Sequence, residues 1–212
     1  AENSTSNVTD VNSSDEDSDT VTYTKSGTDA DDFNIHSGTG VLTFASAPNF
    51  EVPSDSNTDN EYIVIITATD DGAGTPTDTQ TLTITVTNVN EVPTDFSLSS
   101  TSVNENESSG TIVGALSSTD VDAGDSHTYT LVSGTGDGDN ASFAISGSNL
   151  VTNAVFNFEV KNSYSIRIRT TDSGGLTYEE AFTITIVNVN DTPADISLNS
   201  TSVNENESSG TT

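Results

Sequence analysis

The chain has no cysteine, no methionine and no tryptophan, and only 4 Lys+Arg stand against 33 Asp+Glu. Without cysteine no disulfide can form, so any stapling of the fold must come from something else. The net charge of −29 excludes nucleic-acid binding through a basic surface, because phosphate contacts need Lys and Arg. It also disfavours docking on an anionic membrane leaflet. No run of about 18 apolar residues occurs, so no direct membrane insertion is expected. Ala1 opens no signal peptide, so a secreted origin would make the chain an excised piece. Helix formers such as Leu, Lys and Arg are scarce, whereas Thr, Ser and Val abound. The 212 residues allow one or two domains of ordinary size.

Charge this one-sided would suit a disordered chain, but the apolar pattern argues for folding. Thr81–Thr87, Ser163–Arg169 and Phe182–Ile186 alternate apolar or aromatic residues with polar ones at period two. That is the mark of strands with one buried face. Tyr62–Ala68 is more continuously apolar, as a more buried strand would be. Turn signals such as Ser26-Gly27, Asp71-Gly72, Ser133-Gly134 and Ser146-Gly147 punctuate these runs. The expected class is all-β, a sandwich of short strands.

The chain also repeats. Pro93–Thr111 returns at Pro193 with an offset of 100, and Thr201–Thr211 is identical to Thr101–Thr111. More loosely, Asn49-Phe50-Glu51-Val52 matches Asn157-Phe158-Glu159-Val160, and Thr87–Glu91 matches Val187–Asp191. A period this long suits tandem, separately folded sandwiches and not a solenoid. The division is a first repeat at 1–93 without its leading strand, a second at 94–193, and the first strand of a truncated third repeat at 194–212. Such a chain is expected to be part of a longer array.

The acids collect at turns. Asp15-Glu16-Asp17 and Asp120-Val121-Asp122 occupy equivalent places, Glu51 and Glu159 close the Asn-Phe-Glu tripeptides, and Asp70 and Asp172 end long strands. Asn88, Asn90, Glu91 and Asn188, Asn190, Asp191 lie in the inter-repeat connections. Carboxylates held together repel unless a cation neutralises them. Hard oxygen ligands in irregular turns suit Ca²⁺, which accepts six to eight oxygens in flexible geometry.

Asp-x-Asp, Asn-x-Glu, a strand-end Asp and a linker Asn-Val-Asn-Asp/Glu before Pro, twice in order, resemble cadherin repeats, specifically the bacterial cadherin-like type. The resemblance implies tandem seven-stranded Greek-key, immunoglobulin-like sandwiches in a large, membrane-associated surface or secreted bacterial adhesin of the kind used in biofilms. It implies Ca²⁺ at the junction of consecutive repeats. For the complete junction it implies Glu2, Glu51, Asn88, Asn90, Glu91, Asp120, Asp122 and Asp172 as ligands. Asp15, Asp17 and Asp70 would form half of the preceding junction; Glu105, Glu159, Asn188, Asn190 and Asp191 would form half of the next. The chain departs from the family's pattern by carrying Asn49, Asn157, Asn88 and Asn188 where Asp is usual, and by a linker one residue shorter before Pro93 and Pro193. Fewer charges imply affinity at or below the usual extracellular range of roughly 10⁻⁴–10⁻³ M.

The partners implied are neighbouring repeats of the same chain and homophilic protein contacts, with polysaccharide binding as the alternative. Tyr23 and Tyr62 recur as Tyr129 and Tyr164, which points to packing, and only Tyr178 is unmatched. Asp55–Glu61 places oxygens at alternate positions like the start of an EF-hand loop, but lacks the Gly at the sixth position. It reads as a solvated loop, as does Asp137-Gly138-Asp139-Asn140. The Thr rows on Thr81–Thr87 read as the solvent side of a strand and not as an ice-binding face. His36 and His127 have no partner in the motif set, and no Gly-x-Ser-x-Gly elbow accompanies the serines, so no enzyme is expected. The Asn-x-Ser/Thr sequons matter only in a glycosylating host.

Overall fold

A computed structural model describes residues 1–193, 195–198, 201–202, 205–206 and 209–210. Much of the expected third-repeat strand therefore lies outside the described residues. The chain divides into two compact units. The first comprises Ala1–Phe96 together with Ser118–Thr128 and Thr170–Tyr178. The second comprises Ser97–Ser117, Tyr129–Arg169 and the residues from Glu179 onward.

Six strands occupy the N-terminal part: β1 (Asn7–Asp10), β2 (Val21–Ser26), β3 (Phe33–Ile35), β4 (Val41–Phe44), β5 (Glu61–Asp70) and β6 (Thr77–Thr85). They form two three-stranded sheets, β1-β4-β3 and β2-β5-β6. Strands β5 and β6 make a long antiparallel hairpin in which Tyr62 faces Ile84 and Val64 faces Leu82. The period-two pattern explains the layering. Tyr62, Val64 and Ile66 are buried while Glu61 and Ile63 point outward, as alternation along a strand requires. The core between the sheets holds Phe33, Leu42, Phe44, Tyr62, Val64, Ile66 and Val86. The Phe33 and Phe44 rings stack at 4.7 Å, and Tyr62 meets both edge-on at 6.0 and 5.2 Å. Such pairs add about 0.5–1.5 kcal/mol each beyond area burial.

Eight further strands follow: β7 (Asp95–Leu98), β8 (Ser102–Asn104), β9 (Ile112–Thr119), β10 (Thr128–Leu131), β11 (Phe143–Ser146), β12 (Asn149–Thr152), β13 (Ser163–Thr171) and β14 (Thr177–Val187). Their orders are β11-β12-β9-β7 and β10-β13-β14-β8. The leading segment is split between the two sheets: β7 joins one, and β8 runs parallel to β14 in the other with Val103 opposite Ile186. Counting β7 and β8 as one interrupted strand gives the seven of the expected sandwich. Within the second unit Phe143, Leu150, Phe156, Ile166, Ile168, Ile184 and Ile186 are buried. Its aromatic cluster matches the first, with Phe143 and Phe156 5.2 Å apart and Tyr164 against both.

A candidate metal centre in the first unit

Glu2 is the hub of the site. Its backbone N–H donates to Thr87 O at 3.1 Å, which places the residue beside the end of β6. The next residue, Asn3, turns the chain with φ of 62°, a conformation Asn tolerates better than most residues. Glu2 is thereby tucked inward at 3% exposure. Its Oε2 accepts the Phe50 N–H and its Oε1 accepts the Val89 N–H, both at 2.8 Å. One carboxylate thus pins the 49–51 turn to the 88–91 segment.

Glu51 is delivered by that turn. Asn49 Oδ1 accepts the Val52 N–H at 2.6 Å, and Phe50 packs on the core. Glu91 is fixed by Asn3, whose amide donates to Glu91 Oε1 at 2.8 Å. Oxygens of Glu2, Glu51 and Glu91 all lie within 4.8 Å of one another. Both carboxylate oxygens of Glu51 and Oε2 of Glu91 are buried with no hydrogen-bond partner. Burial is the main influence raising the Glu51 carboxyl above its usual range, helped by the charges of Glu2 and Glu91. Glu91 is raised likewise, by burial first and then by Glu2, Asp122 and Asp120.

The four basic side chains are engaged elsewhere. Lys25 donates to Ala30 O, Lys161 pairs with Asp139, and Arg167 and Arg169 share Glu179. The cluster holds orphaned carboxylate oxygens with no Lys or Arg paired to them among the described residues, and hard oxygens in such a set fit Ca²⁺.

Two aspartates take up the amides of the 88–91 segment. Asp122 accepts Asn88 Nδ2 at Oδ1 and the Glu91 N–H at Oδ2, both at 2.8 Å. Asp172 accepts Asn90 Nδ2 at 3.0 Å and the Leu176 N–H at 2.8 Å. Burial alone would raise the Asp172 carboxyl, but these donors and the Gly174 and Gly175 N–H groups hold it below the usual value. Gly174 is needed for this approach, because a Cβ there would lie 2.3 Å from the Asn90 amide.

Asp120 sits differently. It accepts the Asp122 N–H at 3.2 Å and meets His127 Nε2 at 3.0 Å, so it clusters with Asp125 and His127 while its charge still reaches Glu91. The expectation that His127 lacks a partner is therefore corrected.

In the second unit Glu105 repeats the geometry of Glu2. It accepts the Phe158 and Val189 N–H groups at 2.8 Å each, and Asn106, also at φ 62°, donates to Asp191. Those two backbone donors hold the Glu105 carboxyl below its usual range. Glu105, Glu159 and Asp191 form one oxygen cluster, with Asn188 donating to Glu159 at 3.0 Å. Asn190 donates instead to the Asp191 backbone carbonyl. At the other end of the first unit Asp70 gathers with Asp19 and Asp71, while Asp15 accepts the Asp17 and Asp19 N–H groups. Asp17 joins no cluster among the described residues. Asp19, Asp71, Asp125 and His127 join these clusters without belonging to the recurring motifs; the Asp15-x-Asp17-x-Asp19 spacing and the Asp70-Asp71 doublet are the sequence signals for the first two.

The loop at Asp55–Glu61 spends its oxygens internally. Asp55 accepts the Asp59 and Asn60 N–H groups, and Asp59 accepts Asn57 Nδ2 and the Glu61 N–H. The tyrosines form no exposed platform: Tyr23, Tyr62 and Tyr129 are buried, Tyr164 sits among phenylalanines, and Tyr178 packs edge-on against Phe96.

A split seven-stranded sandwich with carboxylates collected at the strand ends defines a class, and comparison with known families agrees. The chain matches the Cadherin domain profile over residues 1–87 and 99–190, and it belongs to the cadherin-domain family. Domains of this fold are structural and adhesive modules used in tandem, not catalysts, and the family as a whole binds Ca²⁺ at the linkers between domains. No match of significance was found among curated proteins. Among solved structures, the protocadherin gammaB4 extracellular domain is 29% identical with a TM-score of 0.59, covering 81% of this chain and 27% of that one. The chain thus spans about a quarter of that structure's length. Human protocadherin-24 EC1-2 is 24% identical (TM-score 0.59), covering 82% of this chain and 85% of that one. Drosophila N-cadherin EC1-4 is 23% identical (TM-score 0.64), covering 89% and 46%.

These findings correct the bacterial assignment. The similar structures named by organism come from human, mouse and Drosophila, and none is a bacterial adhesin. The misreading has a physical source: the motifs used are cation ligands and turn formers, which serve the same fold wherever it occurs.

Proposed function

We propose that the chain is a Ca²⁺-stiffened tandem-repeat segment of an extracellular adhesion protein. Glu2, Glu51, Asn88, Asn90, Glu91, Asp120, Asp122 and Asp172 would hold the ion or ions. The observation that carries this reading is the buried, partnerless Glu51 carboxylate beside Glu91 and Glu2. Bound Ca²⁺ supplies a compact positive charge that accepts many oxygens at once. The protein's own part is positional. Glu2 anchors the 49–51 turn to the 88–91 segment, while Asp122 and Asp172 draw in that segment's amides. Without a cation the acids repel and the segment is free to swivel; with one, the same oxygens stiffen it. Glu105, Glu159, Asn188, Asn190 and Asp191, and likewise Asp15, Asp17 and Asp70, would serve the adjoining junctions with neighbouring repeats. Homophilic contact would follow as Ca²⁺-dependent self-association in sedimentation.

The test is calorimetric titration of Ca²⁺ into EDTA-stripped protein. Binding near 10⁻⁴–10⁻³ M or somewhat weaker is expected, and Glu51→Ala and Asp122→Ala should each weaken it at least tenfold. Absence of binding up to about 10 mM, beyond the usual extracellular range, would overturn the reading.

A further inference from the structure

We propose that His127, Asp120 and Asp125 form a site for a divalent transition-metal ion, Zn²⁺ foremost, in the turn that leads into β10. The turn is built locally. Gly124 adopts φ of 87°, and the Asp125 N–H donates to Asp122 O at 3.2 Å, which folds Asp125 back toward Asp120. Asp125 is steadied by Ser173, whose hydroxyl and N–H both donate to its carboxylate. His127 lies at the mouth of β10 with its side chain 12% exposed, and the side chain of Asp120 is 3% exposed. The imidazole Nε2 stands 3.0 Å from Asp120 Oδ2, and one ligand atom from each of the three residues lies within 4.8 Å of the others.

One imidazole and two carboxylates make a donor set for a borderline ion. Zn²⁺ takes His nitrogen at about 2.0–2.1 Å and carboxylate oxygen at about 2.0–2.2 Å, with water completing the shell. Ca²⁺ prefers an all-oxygen shell. The equivalent turn in the N-terminal part shows the contrast. There the cluster is Asp19, Asp70 and Asp71, and Val21 stands at the place of His127. The nitrogen ligand belongs to one turn only. Zn²⁺ bound at His127 would withdraw Asp120 from the oxygen set proposed above for Ca²⁺, so the two ions would compete at this edge. The inference does not depend on the Ca²⁺ reading, since the glutamate cluster can fail to bind Ca²⁺ while this site binds Zn²⁺.

The test titrates Zn²⁺ into the full EDTA-stripped chain, with Co²⁺ as a visible-absorption probe of nitrogen and oxygen ligation. The other imidazole is an internal control, because exposed His36 already accepts the Gly38 and Thr39 N–H groups at Nδ1. Micromolar Zn²⁺ binding is expected, weakened at least tenfold in His127→Gln and unchanged in His36→Gln. Thermal unfolding and Ca²⁺ titration of His127→Gln should resemble the parent, which separates a lost ligand from a lost fold. Equal Zn²⁺ affinity in His127→Gln and parent, or loss in His36→Gln instead, would overturn the site.

Discussion

Replacing Glu51 by Gln keeps its shape and removes one charge from the Glu2–Glu51–Glu91 cluster. The three carboxylates lie within 4.8 Å of one another. At that separation two unit charges repel by about 0.9 kcal/mol in bulk water and about 3.5 kcal/mol at an effective dielectric of 20. Glu51 is only half-buried as a residue, so the lower end applies, and Glu51→Gln should gain about 1 kcal/mol in EDTA. That corresponds to about 4–8 °C in melting temperature for a domain of this size. In Ca²⁺ that advantage closes, because a variant binding tenfold more weakly gains only about 0.4 kcal/mol at the same concentration. The parent should gain about 1.4 kcal/mol at a tenfold excess over Kd, whereas the variant has lost a charged ligand and binds at least tenfold more weakly. Thermal unfolding of both proteins, in EDTA and in 10 mM Ca²⁺, reads the convergence: the variant is the more stable without Ca²⁺ and loses that lead with it. A variant that is less stable in EDTA, or equal Ca²⁺ shifts in the two proteins, would refute the reasoning.

The same cluster sets a pH dependence. Glu51 and Glu91 have folded-state values raised above 4.5, so the native state holds more protons than the unfolded chain in the window above 4.5. Urea unfolding in EDTA should therefore show stability falling as pH rises through that window, and saturating Ca²⁺ should flatten the slope. Glu105 carries the opposite sign, because its folded-state value is lowered below 4.5 by the Phe158 and Val189 N–H groups. Its contribution is present above pH 4.5 and lost as pH falls through the folded value. Glu105→Ala should lower the urea midpoint at neutral pH, with the gap to the parent closing in acid.

Much of the fold was legible because the strands write their burial at period two. Tyr62–Ala68 and Phe182–Ile186 lie within β5 and β14, and the recurrence of Tyr62 as Tyr164 marked matched cores. The Glu2–Glu51–Glu91 grouping was approachable for a similar reason: Asn-Phe-Glu and Asn-Val-Asn recur, so their turns could be compared. What the amides do was not legible. Residue type names Asn88 and Asn90 as oxygen donors to a metal; it does not reveal that their NH₂ groups also donate to Asp122 and Asp172. Nor was His127, whose counterpart is Val21; its meeting with Asp120 depends on the return of the Asp122–Asp125 turn, which no repeat comparison displays. The bacterial label failed because ligand spacing reports on the ion and not on the lineage.

The central claim is that Ca²⁺ stiffens the segment running from Glu2 through Glu91 to Asp122 and Asp172. Small-angle scattering of the full chain, in EDTA and in saturating Ca²⁺, tests it most directly. The account predicts a longer and more narrowly distributed set of intramolecular distances with Ca²⁺, and a smaller change for Glu51→Gln at the same concentration. Superimposable curves for the parent in the two conditions, with Ca²⁺ binding verified by calorimetry, would contradict it.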